Sequence, residues 1–391
     1  MMYQAYPAQS DLMWPLRTLA RHAAPMFQAP AFALAGGGQA LKTARQMAAA
    51  CQVLELAEVR HKRPAWNIDS VRVKGDSVPV TEEVAACTPF ATLLRFRKAG
   101  VGAQPKVLVV APMSGHFATL LRDTVRTVLQ DHDVYVTDWH NVRDVPLAEG
   151  RFGLDEYTEH IITFLAAMGP NANVIAVCQP CVASLAAVAL MSEDQHPATP
   201  ASLTLMAGPI EWFEKNLISS VPWRHGGGGR RVYPGFVQLS AFMSMNKDRH
   251  VNAFKAYYQH LVDDEFDKAE VTRTFYEEYL AVADLAADFY IETVDKVFQQ
   301  HALPKGELMF RDRKVNPAAI RRTALLTVEG ERDDICAIGQ TLAAQDLASN
   351  LRPNMRTHYV QPNVGHYGGF SGRRWQNHIY PVVRDVIQVS R

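Results

Sequence analysis

Val174-Ile175-Ala176-Val177-Cys178-Gln179-Pro180-Cys181, continued by Val182-Ala183-Ser184-Leu185-Ala186-Ala187-Val188-Ala189-Leu190, decides the architecture. An apolar run stops at a cysteine and a helix-favouring run begins at once. That is the outline of a strand, a sharp turn and a helix. Such a turn lifts the side chain at its tip above the sheet, and in many enzymes that side chain is a nucleophile inside a Gly-x-Ser-x-Gly box. Here the tip is Cys178, with Ala176 and Pro180 in the glycine places. Ala176 keeps the approach to the neighbouring strand narrow. Pro180 presets φ for the first helical turn, where its missing N–H would have lacked a partner anyway.

Working outward, the same alternation continues on both sides. Residues 107–111 form a continuous apolar run, as a strand covered on both faces should. A helical stretch at 118–129 follows, then a strand at 134–137 running into Asp138-Trp139, an amphipathic helix at 154–168, the nucleophile strand at 173–177, its helix at 182–191, and a strand at 203–206. The pattern then breaks. Residues 209–310 carry aromatics at helical spacing and no short apolar strands, so they read as a helical cap or lid inserted into the sheet domain. Alternation resumes with a strand at 323–328, a helix at 338–348, a strand at 357–360 and a final helix at 373–389. Before the sheet, residues 9–60 read as helices, with Leu12, Pro15, Leu16, Leu19 and Ala20 at helical spacing and a break at Gly36-Gly37-Gly38. Short strands at 70–73 and 90–96 would form an antiparallel edge. The expected division is therefore 1–100 (helical extension and edge strands), 101–208 (core, first part), 209–310 (cap) and 311–391 (core, second part). Gly226–Gly229 reads as a flexible loop, because a phosphate cradle needs a strand before it and a helix after it.

Bulk composition narrows the function. Lys+Arg and Asp+Glu both number 40, for zero formal net charge, which argues against nucleic acid as a partner. Five cysteines, odd in number and widely spread, suggest no disulfide framework and fit a reducing cytosol. Cys178-x-x-Cys181 has no second pair, so metal or dithiol chemistry is not favoured, and no metal is expected. The N-terminus lacks the pattern of a secretory signal. No run approaches the ~18 apolar residues of a membrane span. A soluble cytoplasmic protein is expected.

A thiol nucleophile needs a base, an orienting acid and an oxyanion hole, and in folds of this type acid and histidine follow the nucleophile in the chain. Thr327-Val328-Glu329-Gly330-Glu331-Arg332-Asp333-Asp334 supplies the acid after a late strand. Asp333 is preferred, three residues beyond Gly330, with Asp334 left to cap the following helix. Pro362-Asn363-Val364-Gly365-His366-Tyr367-Gly368-Gly369 supplies the base, His366, on a glycine-flanked loop after the last strand. The oxyanion donors are expected to be the N–H of Gln179 and that of Met113 in Pro112-Met113-Ser114-Gly115-His116, with Ser114 as the second choice. His116 reads as a pocket or capping residue rather than a second base. Cys181, one turn past the nucleophile, reads as packing, and Cys336 has no base in view.

The stretches Val177-Cys178-Gln179-Pro180, 111–124, Asp138-Trp139 through Pro146-Leu147, 231–236, Glu329-Gly330-Glu331 with Asp333-Asp334-Ile335, Gly339-Gln340-Thr341 and 365–375 resemble the intracellular polyhydroxybutyrate depolymerases. The resemblance implies an α/β-hydrolase fold: a mostly parallel, doubly covered sheet with a helical cap and an N-terminal helical extension. It implies a carboxylic ester hydrolase with a Cys178–Asp333–His366 triad and a thioester acyl-enzyme. The substrate would be short-chain polyhydroxyalkanoate stored as cytoplasmic granules, whose polymer surface is the partner, and a homodimer is left open. No cofactor is implied, with coenzyme A an alternative acyl acceptor to water. The sequence departs from the family at Ala183, where relatives place a proline. It departs again where Gly208-Pro209-Ile210 runs straight into Glu211-Trp212-Phe213, without the stretch that usually intervenes. Two competing functions follow from the same residues: a polyester synthase-like acyltransferase, which Ala176 and Pro180 disfavour, and a granule-binding protein without activity.

Overall fold

In the computed structural model, which describes residues 2–28, 37–211, 224–225 and 229–390, the apolar runs become the centre of a nine-stranded sheet. Its strands are β1 (Ser70–Val73), β2 (Asp76–Cys87), β3 (Ala91–Lys98), β4 (Lys106–Val110), β5 (Asp133–Trp139), β6 (Ala172–Val177), β7 (Ser202–Met206), β8 (Ala324–Gly330) and β9 (Arg356–Gln361). They lie in the order β1-β2-β3-β5-β4-β6-β7-β8-β9. The pairings of β1 with β2, β2 with β3 and β3 with β5 are antiparallel. All others are parallel. Every residue of β6, β7 and β8 is buried whichever way it points, so both faces of the central sheet are covered. This is the doubly covered, mostly parallel sheet that the alternation predicts, in the α/β-hydrolase architecture that the resemblance implies.

The helices bearing on the argument are α1 (Met2–Gln28), α2 (Gly37–Leu56), α3 (Arg122–Val128), α4 (Leu154–Met168), α5 (Cys181–Glu193), α6 (Gly235–Met245), α7 (Lys247–Val262), α8 (Phe266–Tyr279) and α9 (Tyr380–Val389). The chain divides into two compact units. The larger, 65–114 with 118–233 and 285–391, holds the sheet together with α3, α4, α5 and α9. The smaller, 1–64 with 115–117 and 234–284, is helical: α1 packs on α2, α2 on α7 and α7 on α8. Small side chains make the α1–α2 contact close, with Ala20, Ala24, Ala44, Ala48 and Ala49 all buried. Of the stripe singled out by spacing on α1 only Ala20 turns into that contact; Leu12, Leu16 and Leu19 face outward, Leu12 and Leu19 being 75% and 67% exposed.

Some elements differ from the sequence expectation. Strand β2 was not foreseen, because most of its residues are exposed and its polar and apolar residues show no clean alternation. Its signal was the two-residue turn Lys74-Gly75, whose φ values of +51° and +99° are those of a tight hairpin loop. Residues 118–129 begin as a 3-10 turn, Ala118–Leu121, before α3. The helix expected at 338–348 shrinks to Ala343–Leu347, and the last helix opens with Gly372–Arg374 and a wide turn, Trp375–Ile379, before α9. The 209–310 region is not free of strands: Arg231–Tyr233 pairs with Leu285–Ala286. Gly226, Gly227 and Gly228 of the tetraglycine loop lie outside the described residues.

Candidate active site

Strand β6 ends at Val177, and Cys178 follows with φ +67°, a left-handed main chain that a residue with a side chain holds only under constraint. The constraints are visible. The Cys178 N–H donates to Met206 O at 2.7 Å, tying the tip to β7, and Cys178 O accepts from the Cys181 N–H at 3.1 Å, closing the turn into α5. Pro180, at φ −69°, stands immediately before that helix. Gly208 makes room for the turn, since a Cβ there would lie 2.2 Å from Cys181 Sγ and 3.1 Å from Cys178 O. Cys181 is fully buried with its thiol against Ala176 O and Met206 O, and burial raises it well above an ordinary thiol.

The acid loop is clamped by a buried carboxylate. Glu329, at the end of β8, accepts from the N–H groups of Gly339, Thr341 and Leu342 at 2.7 to 3.0 Å. The Thr341 hydroxyl in turn bonds both Gly208 N–H and Gly208 O, linking this loop to the nucleophile side. A Cβ on Gly330 would lie 2.6 Å from Val364 O, so the loops after β8 and β9 meet backbone to backbone. The Arg332 N–H donates to Val364 O at 2.9 Å across that seam. Asp333 and His366, both buried, are thereby set face to face: His366 Nδ1 donates to Asp333 Oδ2 at 2.9 Å, with Oδ1 at 3.1 Å. Asp333 Oδ1 also accepts from the N–H groups of Ile335 and Cys336. Asp334 is exposed, and the helix it was expected to cap starts only at Ala343; the carboxylate that folds back on the following amides is that of Asp333.

Strand β4 leads to the donor loop. Ala111 is held three ways: its O accepts from Trp139 Nε1 at 2.8 Å and from the Tyr157 hydroxyl at 3.0 Å, and its N–H donates to Thr137 Oγ1 at 2.9 Å. This explains the Asp138-Trp139 stretch as a fixture for residues 112–114. The Met113 N–H donates to the side-chain Oε1 of Gln179 at 3.2 Å. The Gln179 main-chain N–H has no protein acceptor among the described residues. Ser114 is half-buried in the same loop. His116 belongs to the helical unit, where its buried ring donates through Nε2 to Tyr279 O at 3.1 Å and stacks on Tyr279 and Phe242.

Electrostatics link the three central groups. The Cys178 thiol is lowered to about 5, first by a hydrogen bond from Cys336, against the opposing effect of burial, and then by the charge and hydrogen bond of His366. His366 is raised to about 10: burial works against this, but the negative charge of Cys178 and then the hydrogen bond to Asp333 outweigh it. Since Nδ1 faces Asp333, the ring serves Cys178 through Nε2. Cys336 carries the opposite shift, well above an ordinary thiol, so it remains the protonated donor of the pair. Sequence reading gave Cys336 no part here. Its signal was position, three residues past the acid on a loop that has to fold back over the nucleophile.

The arrangement can present a thiolate to a carbonyl carbon, return a proton from an imidazolium, and offer main-chain donors to an oxyanion. Among the described residues no group of three or more His, Cys, Asp or Glu is placed to hold a metal ion, and no helix is long and apolar enough to cross a membrane.

Residues 192–391 match the family model described as PHB de-polymerase C-terminus. No curated protein matches the chain. Among solved structures, 2-hydroxy-6-oxo-6-phenylhexa-2,4-dienoate hydrolase of Rhodococcus sp. strain RHA1 is similar at 13% identity and TM-score 0.45, over 80% of this chain and 99% of that one. An alpha/beta hydrolase fold protein of Nakamurella multipartita is similar at 16% identity and TM-score 0.42, over 82% and 99%. A monoacylglycerol lipase of Paleococcus ferrophilus is similar at 13% identity and TM-score 0.39, over 73% and 96%.

Proposed function

The chain belongs to the PHB de-polymerase family, whose C-terminal model covers residues 192–391, and on that premise we propose that it cleaves the ester bonds of short-chain polyhydroxyalkanoate through Cys178, His366 and Asp333. Family and fold make it an ester hydrolase. What supports the finer reading is one observation: a depressed thiol at a left-handed turn, next to an imidazole that a buried carboxylate orients.

In this reading the Cys178 thiolate attacks the ester carbonyl carbon, and the carbonyl electron pair moves onto oxygen, facing the N–H groups of Gln179 and Met113. The pair returns, the C–O bond to the leaving alkoxide breaks, and His366 Nε2 gives its proton to that alkoxide. A thioester on Cys178 remains. The now neutral His366 takes a proton from water, the resulting hydroxide adds to the thioester, and collapse expels the thiolate with release of the hydroxyacid or a shorter oligomer. Asp333 holds the ring in the tautomer that keeps Nε2 toward sulfur. Coenzyme A in place of water would give a thioester product. Action would take place in the cytoplasm at the granule surface.

The test is release of 3-hydroxybutyrate from amorphous poly(3-hydroxybutyrate) granules by wild type and Cys178→Ala, with and without coenzyme A. Release by wild type alone is expected. Equal release by both removes the thiolate mechanism. Granule binding without release by either favours the inactive binder, and polymer formed from hydroxybutyryl-coenzyme A favours the synthase.

A further inference from the structure

We infer that the side-chain carboxamide of Gln179 occupies the oxyanion position in the substrate-free protein and must be displaced by the reacting carbonyl, so that Gln179 sets how weakly ground-state ester is held. The inference rests on the ester-cleaving reading of this same site. Its ground is the hydrogen bond from Met113 N–H to Gln179 Oε1, with Met113 buried and Ala111, two residues earlier, pinned by Trp139, Tyr157 and Thr137. The donor is therefore fixed in place and already satisfied, while the second donor, Gln179 N–H, is open among the described residues.

The acceptor on Met113 is chemically telling. A carboxamide oxygen is a neutral sp² oxygen, like the carbonyl of an ester. Exchanging one for the other gains little. A developing oxyanion differs, because hydrogen bonds to a charged acceptor are roughly twice as strong as neutral ones. At 3.2 Å the bond is also longer than the usual 2.9 to 3.0 Å, so it yields readily. Filling the hole with a neutral carbonyl thus cancels binding of the substrate ground state and leaves the transition-state preference intact, which is the differential binding that catalysis requires. It also spares a buried N–H from standing unpaired between turnovers.

Gln179→Ala removes the occupant and keeps the main-chain donor of residue 179. With p-nitrophenyl butyrate as soluble substrate, KM falls about threefold to tenfold and kcat/KM rises by the same factor, as expected for one neutral hydrogen bond gained equally by ground and transition states. Gln179→Glu acts in the opposite direction. Its carboxylate holds the Met113 N–H more firmly and repels the oxyanion, so kcat/KM drops at neutral pH. The mutant-to-wild-type ratio then recovers as pH falls toward the range of a carboxyl group, about 4 to 5. A simple bracing role for Gln179 would raise KM in both variants with no pH dependence of their ratio to wild type, and that result overturns the inference. If wild type cleaves the soluble ester but not granules, the polymer reading fails while this comparison still decides the role of Gln179. If wild type cleaves neither, both fall.

Discussion

His366 Nδ1 stands 2.9 Å from Asp333 Oδ2, and the other oxygen of the same carboxylate is held by the N–H groups of Ile335 and Cys336. The acid is thus oriented by its own loop before it orients the ring. Asp333→Asn keeps the shape but can present an N–H to Nδ1, which favours the wrong tautomer. It should lower kcat on a soluble ester by about 10²- to 10⁴-fold. Asp334→Asn should stay within about twofold, since an exposed charge outside the hydrogen bond to Nδ1 adds little. An equal loss in both variants would take the orienting role from Asp333.

The thiol lowered to about 5 and the imidazole raised to about 10 predict a rest state of thiolate and imidazolium between those limits. Below about 5 the nucleophile is protonated, and above about 10 the leaving alkoxide loses its proton donor. The profile of kcat/KM should be a broad plateau with limbs near those values, both belonging to the coupled pair rather than to one residue. Alkylation by iodoacetamide should stay fast well below the pH at which an ordinary thiol ionises, near 8.5. Alkylation that rises only around that pH would refute the ion pair.

The buried Cys336 thiol, acting as a donor toward Cys178, is the largest cause of the low Cys178 value. Cys336→Ala removes the donor, so the thiolate loses support and the acid limb of the alkylation profile should move upward by about one to two pH units. Cys336→Ser, which keeps a hydroxyl donor, should restore most of the difference. Identical profiles for wild type and Cys336→Ala would leave Cys336 as packing alone.

Gly208 lies where a Cβ would overlap Cys181 Sγ. Gly208→Ala should destabilise the protein by about 1 to 3 kcal/mol in denaturant unfolding, the range for overpacking a dense core. Gly102→Ala, with open space around the added carbon, should change stability by less than about 0.5 kcal/mol. Equal stability of the two variants would mean that the turn can shift aside.

The central strands were legible in the sequence because each is a short apolar run, and burial on both faces leaves no other composition open to them. Helix α4 was legible for a related reason, its apolar face repeating at helical spacing between a glycine before it and one after. Strand β2 was not: exposed on most of its length, it is specified by its hairpin turn and its pairing with β3, neither of which shows as hydrophobic pattern. At the site, chain order alone pointed to Cys178, Asp333 and His366 as neighbours. The reach of the Gln179 side chain to Met113, the clamp of Glu329 on its loop and the thiol of Cys336 beside Cys178 depend on how loops fold back. Composition carries no trace of such contacts.

The backbone twist at Cys178 has a consequence for engineering. Glycine accepts φ +67° freely, whereas a side chain there costs on the order of 1 to 2 kcal/mol. A library of variants sorted only for heat resistance should therefore enrich glycine at this position and become inert in the same step. Robustness and reactivity compete here at a single residue, and any campaign to harden this protein has to hold that residue fixed.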